Sequence, residues 1–600
     1  MLLSATVLLL ATAMVTVPVY YWIFSNFSDY DDEGCMMMSV QEVLSGHMLY
    51  DGTYLQYGPA YYLVQWLVHR ITRAPVVHNV VRLLSMIFWL ATALGMGTTV
   101  LLLTESRLAA AAGVLVATFH LKFISYEPGH PQELCIALVA LAAVGLACVR
   151  GRNRAWGLVV AAGATGVLAM TKINAGAYVG LPLGAGMILL SGRSFLTRIA
   201  RPLVIAALLL LPLALMTPHI RTGWGFALWF SITVSIACAL IVVHRHRIVL
   251  LGRCDWICAV AAAVIGAGLP VLWVLVRGTS LHGLLDGVLW QHIGFANRWY
   301  IAAPTGRSDI VCTAAMLLLA IVWSSERVIP KPWSDLILSA AKLGSLAAVG
   351  LAFVGFGRAS TVVRWMPWMI GARRGLGESV GPRILLTLMF SMQMLYAYPV
   401  AGSQFAYGSL FGAVAAVIAA HDGILELNQR FSEKLHLLRQ AAVPAVAVLL
   451  LLVYATATYW AGRDYYRGVP LALRGADRVR LPAEQAARLR SVVEALPSSC
   501  KALFSMPGLF SFNFWTDIST PTRINQTNWI GLITDEQQQI IIHDLQSTRA
   551  CLIANSQLVN FWLRGQDIAK SPLANYIHNQ YSVVQRVGPY EVLIPNPHRP

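Results

Sequence analysis

The chain has 600 residues, of which 57% are hydrophobic and only 12% are charged, and its mean hydropathy is +0.62. An average soluble domain has about 25% charged residues, so the composition excludes a soluble globular protein and predicts a polytopic membrane protein. The net charge of +16 does not by itself indicate nucleic acid, because Lys and Arg accumulate in the cytoplasmic loops of membrane proteins. Cys254 and Cys258 lie one helical turn apart without a second ligand pair, which argues against a zinc site.

Apolar runs of membrane-spanning length recur to about residue 461 and predict an α-helical bundle of about thirteen transmembrane helices. Met1–Phe24 is expected to be a retained helix, because it lacks the basic start and the small-residue cleavage site of a signal peptide. Fourteen runs can be distinguished, but Lys342 makes 336–357 the weakest of them, so we favour thirteen crossings, which return the chain to the outside. The predicted runs are 3–24, 77–103, 108–125, 134–149, 155–170, 175–191, 202–217, 224–243, 256–276, 309–325, 336–357, 384–399, 403–420 and 440–460.

Basic residues fall at alternate connections between these runs and predict which connections are cytoplasmic. They are Arg150, Arg152, Arg154, Arg193, Arg198, Arg201, Arg245, Arg247 and Arg253. The acidic segment 29–33 and the loop "YEPGHPQE" (126–133) are then expected outside. The stretch 358–383 breaks the alternation, so either one run does not cross or this stretch binds an anionic group at the outer surface. Its charged residues are Arg358, Arg364, Arg373, Arg374, Arg383 and Glu378.

From about residue 465 the sequence is typical of a small α/β domain, so we divide the chain into a multi-span part (1–464) and a soluble domain (465–600). Residues 480–496 and 534–547 predict helices. Residues 501–507, 550–555 and 581–595 predict strands, the last as a hairpin around a Gly-Pro turn.

Cys500 and Cys551 border two of these strands. If this part of the chain faces an oxidising compartment the pair can form a disulfide, the alternative being two buried thiols.

Four acids lie within five residues just beyond the first apolar run: Asp29, Asp31, Asp32 and Glu33. They are either a solvated loop or an active site beside the bilayer. The following segment, 44–67, is rich in Tyr and Trp, which prefer the membrane interface, so we expect this loop to lie along the membrane.

Other polar residues border the apolar runs. Lys172 stands between two runs, either as an interfacial lysine that extends to water or as the partner of an anion at membrane depth. Glu127, His130 and Glu133 lie in a loop bounded by prolines. They either belong to a functional site or are part of a simple tight turn. Ser403 and Gln404 follow a Pro and Gly interruption that is typical of a cavity lining. The outer loop 284–304 adds His292 and Arg298.

The order of these features resembles the GT-C superfamily of membrane glycosyltransferases, in particular the protein O-mannosyltransferases and lipid A aminoarabinose transferases (glycosyltransferase family 39-like). "DDEG" (31–34) resembles their Asp-Glu pair in the first outer loop, and "MTKINAG" (170–176) resembles their Thr-Lys pair. The motifs cover residues 1–190. Where the aminoarabinose transferases have Lys-Pro-Pro, this chain has "QYGP" (56–59). Tyr57 or an arginine elsewhere must therefore replace a phosphate-binding lysine, or the donor lies differently.

The resemblance implies transfer of a sugar from a polyprenyl-phosphate carrier to an acceptor hydroxyl, with inversion, on the outer face of the membrane. An outer-loop carboxylate would be the general base. Asp32 matches the first member of the Asp-Glu pair, Asp31 is the nearest rival, and Glu33 belongs to the same cluster. A divalent metal could also bind there. The expected substrate-binding residues are Tyr57, Glu127, His130, Lys172, Asn174, His292, Arg298, Ser403 and Gln404.

The expected partners are the lipid-linked donor, a glycan, lipid or protein acceptor, and the bilayer, with no nucleic acid. The expected location is a bacterial plasma membrane, with the active site and the C-terminal domain facing the periplasm or exterior. A secondary transporter and a polymerase or ligase of lipid-linked glycans are the alternatives. The position of the acids in a loop, the C-terminal domain and the lack of an internal repeat argue against the transporter. Neither the sugar nor the acceptor follows from the sequence.

Overall fold

The computed structural model describes residues 2–53, 55–192, 194–246, 251–293, 295–325, 330–353, 360–373, 375–431, 436–525, 533–563 and 570–596. Residues up to Arg467 form a helical bundle. Its helices are α1 Leu2–Phe24, α2 Asp32–Leu44, α3 Pro59–Thr72, α4 His78–Thr104, α5 Arg107–Leu121, α6 Pro131–Ala147, α7 Arg154–Ala169, α8 Ile173–Leu190, α9 Phe195–Met216, α10 Gly223–His246, α11 Arg253–Val276, α12 Leu281–Val288, α13 Phe295–Arg298, α14 Arg307–Ser324, α15 Lys331–Phe353, α16 Ser360–Arg364, α17 Val380–Met392, α18 Gly402–Arg430 and α19 His436–Arg467.

The bundle is that of a multi-pass membrane protein. Eleven of the described helices are long and apolar enough to cross a membrane, and the shorter α6 and α7 run between the same two ends of the bundle. The predicted architecture, a polytopic α-helical membrane protein, is therefore confirmed. Small residues allow close packing, as where the carbonyl oxygen of Gly163 would lie 2.4 Å from a Cβ on Gly266.

The two ends of the bundle differ in charge. At the proximal end the bundle contacts the C-terminal part of the chain, as where Asn79 donates to Asp477 at 2.5 Å. At the opposite, distal end the ion pair Arg154–Asp255 joins the first turns of α7 and α11. Basic residues of the predicted cytoplasmic loops gather there: Arg150, Arg152, Arg154, Arg198, Arg201, Arg245 and Arg253. Arg193, Arg247, Arg358 and Arg374 lie outside the described residues.

The basic stretch 358–383 does not lie at one end, because the chain changes ends within it. Arg364 lies 3.7 Å from Asp309, at the proximal start of α14. Arg373 lies 2.8 Å from Asp422 near the distal end, where α17 begins. The short helix α16 and a 3-10 turn at Pro367–Ile370 connect the two levels, and both are too short to register as an apolar run of spanning length. This passage explains the break in charge alternation, so no predicted run has to be withdrawn.

Lys342 does not prevent α15 from crossing, because its charge is neutralised inside the bundle. The side chain is fully buried and its Nζ lies 2.8 and 2.9 Å from the two carboxylate oxygens of Glu426 on α18. An ion pair of this kind offsets the cost of a charge at membrane depth.

The first proximal connection, 25–77, contains more regular structure than expected. The acidic cluster begins helix α2, and the aromatic segment continues into α3 with Pro59 at its first position. Pro fits there because the first helical N–H has no intrahelical partner. The prediction of a carboxylate-bearing loop was wrong in this respect: Asp32 is held at a helix N-terminus.

The C-terminal part of the chain is α/β, as predicted. Its elements are β1 Val469–Pro470, β2 Arg480–Leu481, α20 Ala483–Glu494, β3 Leu503–Met506, α21 Ser511–Thr516, α22 Asp535–Thr548, β4 Cys551–Asn555, α23 Ser556–Leu563, α24 Pro572–Gln580, β5 Tyr581–Val587 and β6 Tyr590–Pro595. A four-stranded sheet has the order β3-β4-β6-β5, with β3 and β4 parallel and the other pairs antiparallel. Cys500 and Cys551 are joined by the predicted disulfide.

We predict that Asp422 is essential to the distal end of the bundle. It is fully buried and pairs with both Arg383 and Arg373. Asp422→Ala leaves a buried guanidinium without its partner, which typically costs about 3–5 kcal/mol. A large fall in melting temperature is expected for the detergent-solubilised variant. The fully exposed Glu536→Ala is the control and should melt like the parent protein. Equal melting temperatures for both variants would contradict the role given to Asp422.

Candidate active site

A cavity of about 900 Å³ lies at the proximal end of the bundle, beneath the C-terminal part of the chain. Most of the predicted site residues line it, although they come from distant parts of the sequence. They are Asp32, Tyr57, Glu127, His130, Lys172, Asn174, His292, Ser403 and Gln404. The side chain of Arg298 lies outside what the structure describes. Clusters of polar groups inside a largely apolar cavity are typical of ligand-binding sites.

The four acids of the opening cluster diverge to different partners. Asp31 is buried and caps α2, where its carboxylate accepts from Gly34 N at 3.1 Å. The same carboxylate accepts from Ser511 N at 2.7 Å and from the Ser511 hydroxyl. Asp29 accepts from the Tyr590 hydroxyl at 3.0 Å. Asp29 and Asp31 therefore attach the C-terminal part of the chain to the bundle, and the structure does not bring Asp31 to the cavity as a rival base.

Close packing explains why the motif "DDEG" ends with a glycine, Gly34. A Cβ at this position would lie 2.3 Å from Ser511 N and 2.6 Å from a carboxylate oxygen of Asp31. Only glycine allows α2 and α21 to approach this closely. Asp31 itself is in the left-handed region with φ 52°, which Asp tolerates better than most residues.

Glu33 binds buried side chains of the bundle. Its two carboxylate oxygens accept from Arg82 Nε at 2.9 Å and Nη2 at 2.6 Å, and His78 Nδ1 lies 3.0 Å away. Arg82 Nη1 also donates to the Ile23 and Asn26 carbonyls at the end of α1. The charge of Arg82 holds the pKa of Glu33 below its ordinary value despite burial. The structure thus excludes Glu33, like Asp31, from the cavity.

Asp32 alone of the four acids faces the cavity. It is the first residue of α2, where the partial positive charge of the helix N-terminus stabilises a carboxylate. Burial raises its pKa to about 6. The carboxylate is therefore ionised at neutral pH but more basic than an exposed Asp, as a general base requires.

The segments "QYGP" and "MTK" meet through their backbones. Gly58 N donates to the Thr171 carbonyl at 3.0 Å, and Ala60 N donates to the Met170 carbonyl at 2.8 Å. A Cβ on Gly58 would lie 2.2 Å from the Met170 oxygen, so glycine is required here. This contact places Lys172 Nζ 5.9 Å from the centre of the Tyr57 ring. Burial lowers the pKa of Lys172 to about 8, so the ammonium remains protonated at neutral pH.

His130 orients the hydroxyl of Tyr57. Gln132 N donates to His130 Nδ1 at 3.3 Å, which leaves the ring proton on Nε2. Nε2 lies 2.8 Å from the Tyr57 oxygen, so the histidine donates and the phenol accepts. Burial and the nearby charge of Lys172 lower the pKa of His130 to about 3 and keep the ring neutral. The Tyr57 O–H is then left to donate to a group in the cavity.

Glu127 faces the same cavity beside Asp32 and Lys172. Burial and the charge of Asp32 raise its pKa to about 8, although a hydrogen bond from Ser403 opposes the shift. Glu127 therefore carries a proton at neutral pH while Asp32 carries the negative charge. Glu133 stabilises this loop by accepting a hydrogen bond from Gly129 N at 3.2 Å.

The acidic cluster itself does not form a metal site. Within the described residues, no three His, Cys, Asp or Glu side chains lie close enough together to hold a metal ion. Asp29, Asp31 and Glu33 point to separate partners, which leaves the cavity with Asp32 and Glu127 as neighbouring carboxyl groups.

The sequence reasoning missed one group of cavity residues: Tyr30, Trp299, Phe561 and Trp562. Tyr30 stands next to the acidic cluster and Trp299 lies in the aromatic loop 284–304, so both could have been considered. Phe561 and Trp562 lie on α23 of the C-terminal part. No local pattern there distinguishes cavity residues from an ordinary apolar helix face.

Known structures share this architecture only distantly. ArnT from Cupriavidus metallidurans, crystallised bound to undecaprenyl phosphate, aligns over 98% of this chain and 97% of that chain, with TM-score 0.44 and 14% identity. The archaeal oligosaccharyltransferase AglB from Archaeoglobus fulgidus, in complex with an inhibitory peptide and a dolichol-phosphate, aligns over 98% of this chain and 74% of that chain, with TM-score 0.41 and 12% identity. No protein-family model and no curated protein matches the chain.

A likeness at this TM-score and identity carries no conclusion about family, substrate or mechanism.

We predict that two adjacent isosteric changes lower stability by very different amounts. Glu33→Gln removes the charge that balances buried Arg82 and should destabilise the protein by about 3–5 kcal/mol. Asp32→Asn removes a charge that faces the cavity and should cost at most about 1 kcal/mol, the usual value of a charge at a helix N-terminus. Melting temperatures of the two purified variants test this contrast. A larger loss for Asp32→Asn than for Glu33→Gln would show that the two roles have been exchanged.

Proposed function

We propose that the chain is a glycosyltransferase that moves a sugar from a polyprenyl-phosphate carrier to an acceptor hydroxyl. The proposal rests on three side chains of different chemistry that line a single cavity. An ionised carboxylate, Asp32, shares it with an ammonium, Lys172, and with a phenol, Tyr57, whose hydrogen is free to donate. A base for the acceptor and two donors for a leaving phosphate are the groups that this reaction needs.

The apolar part of the cavity suits a lipid tail. Met36, Ile173, Ala214 and Leu215 line it. Ala214 and Leu215 belong to α9, most of whose span faces outward from the bundle. A polyprenyl chain could therefore lie along α9 in the bilayer while its phosphate reaches Lys172.

The proposed reaction is a single displacement. Asp32 accepts the proton of the acceptor hydroxyl while that oxygen forms a bond to the anomeric carbon. The bond between the anomeric carbon and the phosphate oxygen breaks, and the electron pair leaves with the lipid phosphate. Lys172 and Tyr57 donate to the phosphate oxygens as their charge develops. Attack on the face opposite the leaving group inverts the anomeric centre, with no covalent glycosyl-enzyme and no carboxylate nucleophile.

The neighbouring residues adjust the charge of the site. Glu127, protonated at neutral pH and hydrogen-bonded to Ser403, adds no second negative charge beside the phosphate. His130 is a positioning residue that directs the Tyr57 hydroxyl. A neutral donor of this kind takes the place of the lysine in the Lys-Pro-Pro element that the aminoarabinose transferases have.

We also propose that the cavity faces the exterior or periplasm. Basic residues gather at the distal end, and such residues accumulate on the cytoplasmic side of membrane proteins. The disulfide between Cys500 and Cys551 at the proximal end fits an oxidising compartment.

We predict that Asp32→Asn lowers turnover on a polyprenyl-phosphate sugar by about 10²–10⁴-fold, the usual cost of losing a general base. Binding of undecaprenyl phosphate should be largely retained. The assay is release of undecaprenyl phosphate from a panel of undecaprenyl-phosphate sugars, with purified protein in lipid nanodiscs.

The matched control is Asp286→Asn, which alters an exposed acid on α12 at the same end of the bundle and should leave turnover unchanged. Normal turnover by Asp32→Asn would remove Asp32 from the reaction. Solute uptake by proteoliposomes without sugar release from any donor would favour a transporter instead.

We predict a bell-shaped dependence of kcat/KM on pH. Activity should rise as Asp32 ionises through about pH 6 and fall as Lys172 loses its proton through about pH 8. In Lys172→Arg the alkaline limb should move to higher pH, because a guanidinium stays charged throughout this range. An alkaline limb that stays in place in Lys172→Arg would assign it to Glu127, whose pKa is also about 8, and would contradict the role of Lys172.

A further inference from the structure

Four aromatic rings form a continuous wall at the mouth of the cavity, which we call the aromatic wall: Tyr30, Trp299, Phe561 and Trp562. Trp299 and Trp562 stack with ring centroids 5.0 Å apart. Tyr30 contacts Phe561 at 5.5 Å and Trp562 at 6.2 Å. The wall therefore joins three separate parts of the chain: the start of the first proximal connection, the loop before α14, and α23.

Only two of the four rings of the aromatic wall are buried. Trp299 and Trp562 are buried, but Tyr30 and Phe561 are 40% and 37% exposed. Rings that only attached α23 to the bundle would be expected to bury their faces. Here Tyr30 and Phe561 both line the cavity and keep accessible surface, and Tyr30 stands two residues before Asp32 in the chain.

The wall and the proposed lipid site are built from different parts of the chain. Lys172 and Leu215 come from the ends of bundle helices, whereas Phe561 and Trp562 come from the C-terminal part of the chain. A group that leans on the wall would approach Asp32 from the aqueous side. This is the direction from which an acceptor has to enter if the donor comes from the bilayer.

We propose that the aromatic wall binds a sugar ring of the acceptor, so that the acceptor is a saccharide rather than a peptide. This inference rests on the proposed function. The C–H groups on one face of a pyranose are weakly positive and pack against the negative face of an aromatic ring. The hydroxyls at the ring edge need partners that both donate and accept.

Neutral amides in the same cavity can supply such partners. Gln56, Asn297 and Gln404 line the same cavity, and each primary amide offers two N–H donors and a carbonyl acceptor. Aromatic faces combined with neutral amides match the alternating apolar and hydroxyl surfaces of a carbohydrate. A cavity of about 900 Å³ has room for an acceptor ring beside the donor sugar.

The test is direct binding without any donor, so that it does not depend on transferase activity. Protein in nanodiscs is applied to an array of defined oligosaccharides and, in parallel, to a library of Ser- and Thr-containing peptides. We expect the parent protein to bind a subset of oligosaccharides and Phe561→Ala and Tyr30→Ala to weaken that binding at least tenfold. Both rings are exposed, so these variants should fold normally. Trp562→Phe, which keeps an aromatic face, should retain part of the binding that Trp562→Ala loses.

Trp333→Ala is the matched control, because this exposed aromatic lies at the distal end and should not change saccharide binding. Binding of undecaprenyl phosphate should be equal in all variants. Peptide binding that depends on Phe561 would overturn the saccharide assignment. So would oligosaccharide binding that is unaffected by the wall variants, or its absence in the parent protein. Loss of sugar release from every donor, with wall-dependent oligosaccharide binding intact, would instead reject the transferase reaction alone.

Discussion

The ion pair between Glu33 and Arg82 holds the proximal end of the molecule together. Arg82 is fully buried, binds both oxygens of Glu33 and also reaches the carbonyls that end α1. One guanidinium therefore fixes α1, α2 and α4 relative to each other. Because α2 cannot rotate about its axis without breaking this pair, the preceding residue, Asp32, is held towards the cavity. A single charge pair thus decides which acid of the cluster is available for chemistry.

In the acidic cluster three residues have structural partners, and the fourth, Asp32, is the one we propose for chemistry. Asp29 and Asp31 bind Tyr590 and Ser511, Glu33 binds Arg82, and Asp32 remains for the cavity. The arrangement also couples the C-terminal part of the chain to the site, since Asp31 adjoins Asp32 and Trp562 reaches the cavity mouth. This coupling gives a physical reason for the C-terminal part to lie over a membrane-embedded reaction site.

Much of the fold could be predicted because apolar runs of fixed length report membrane helices directly. Tyr57, Glu127, His130 and Lys172 were identifiable because polar residues beside such runs at one end of a bundle must share a small volume. Asp31 and Glu33 could not be told from Asp32, because their partners depend on tertiary packing. Ser511 lies 480 residues beyond Asp31, and no local pattern indicates that contact. The crossing near Pro367–Ile370 was missed for a different reason: its helical segments are too short to resemble a span.

We propose that Lys172 and Tyr57 bind a lipid phosphate within reach of Asp32. Cryo-electron microscopy of the nanodisc-reconstituted protein with undecaprenyl phosphate tests it most directly. We expect phosphate density in the cavity, with oxygens about 3 Å from both Lys172 Nζ and the Tyr57 hydroxyl. We expect the prenyl chain to lie along α9. Phosphate density at another site, with Lys172 and Tyr57 making no contact to it, would contradict the account.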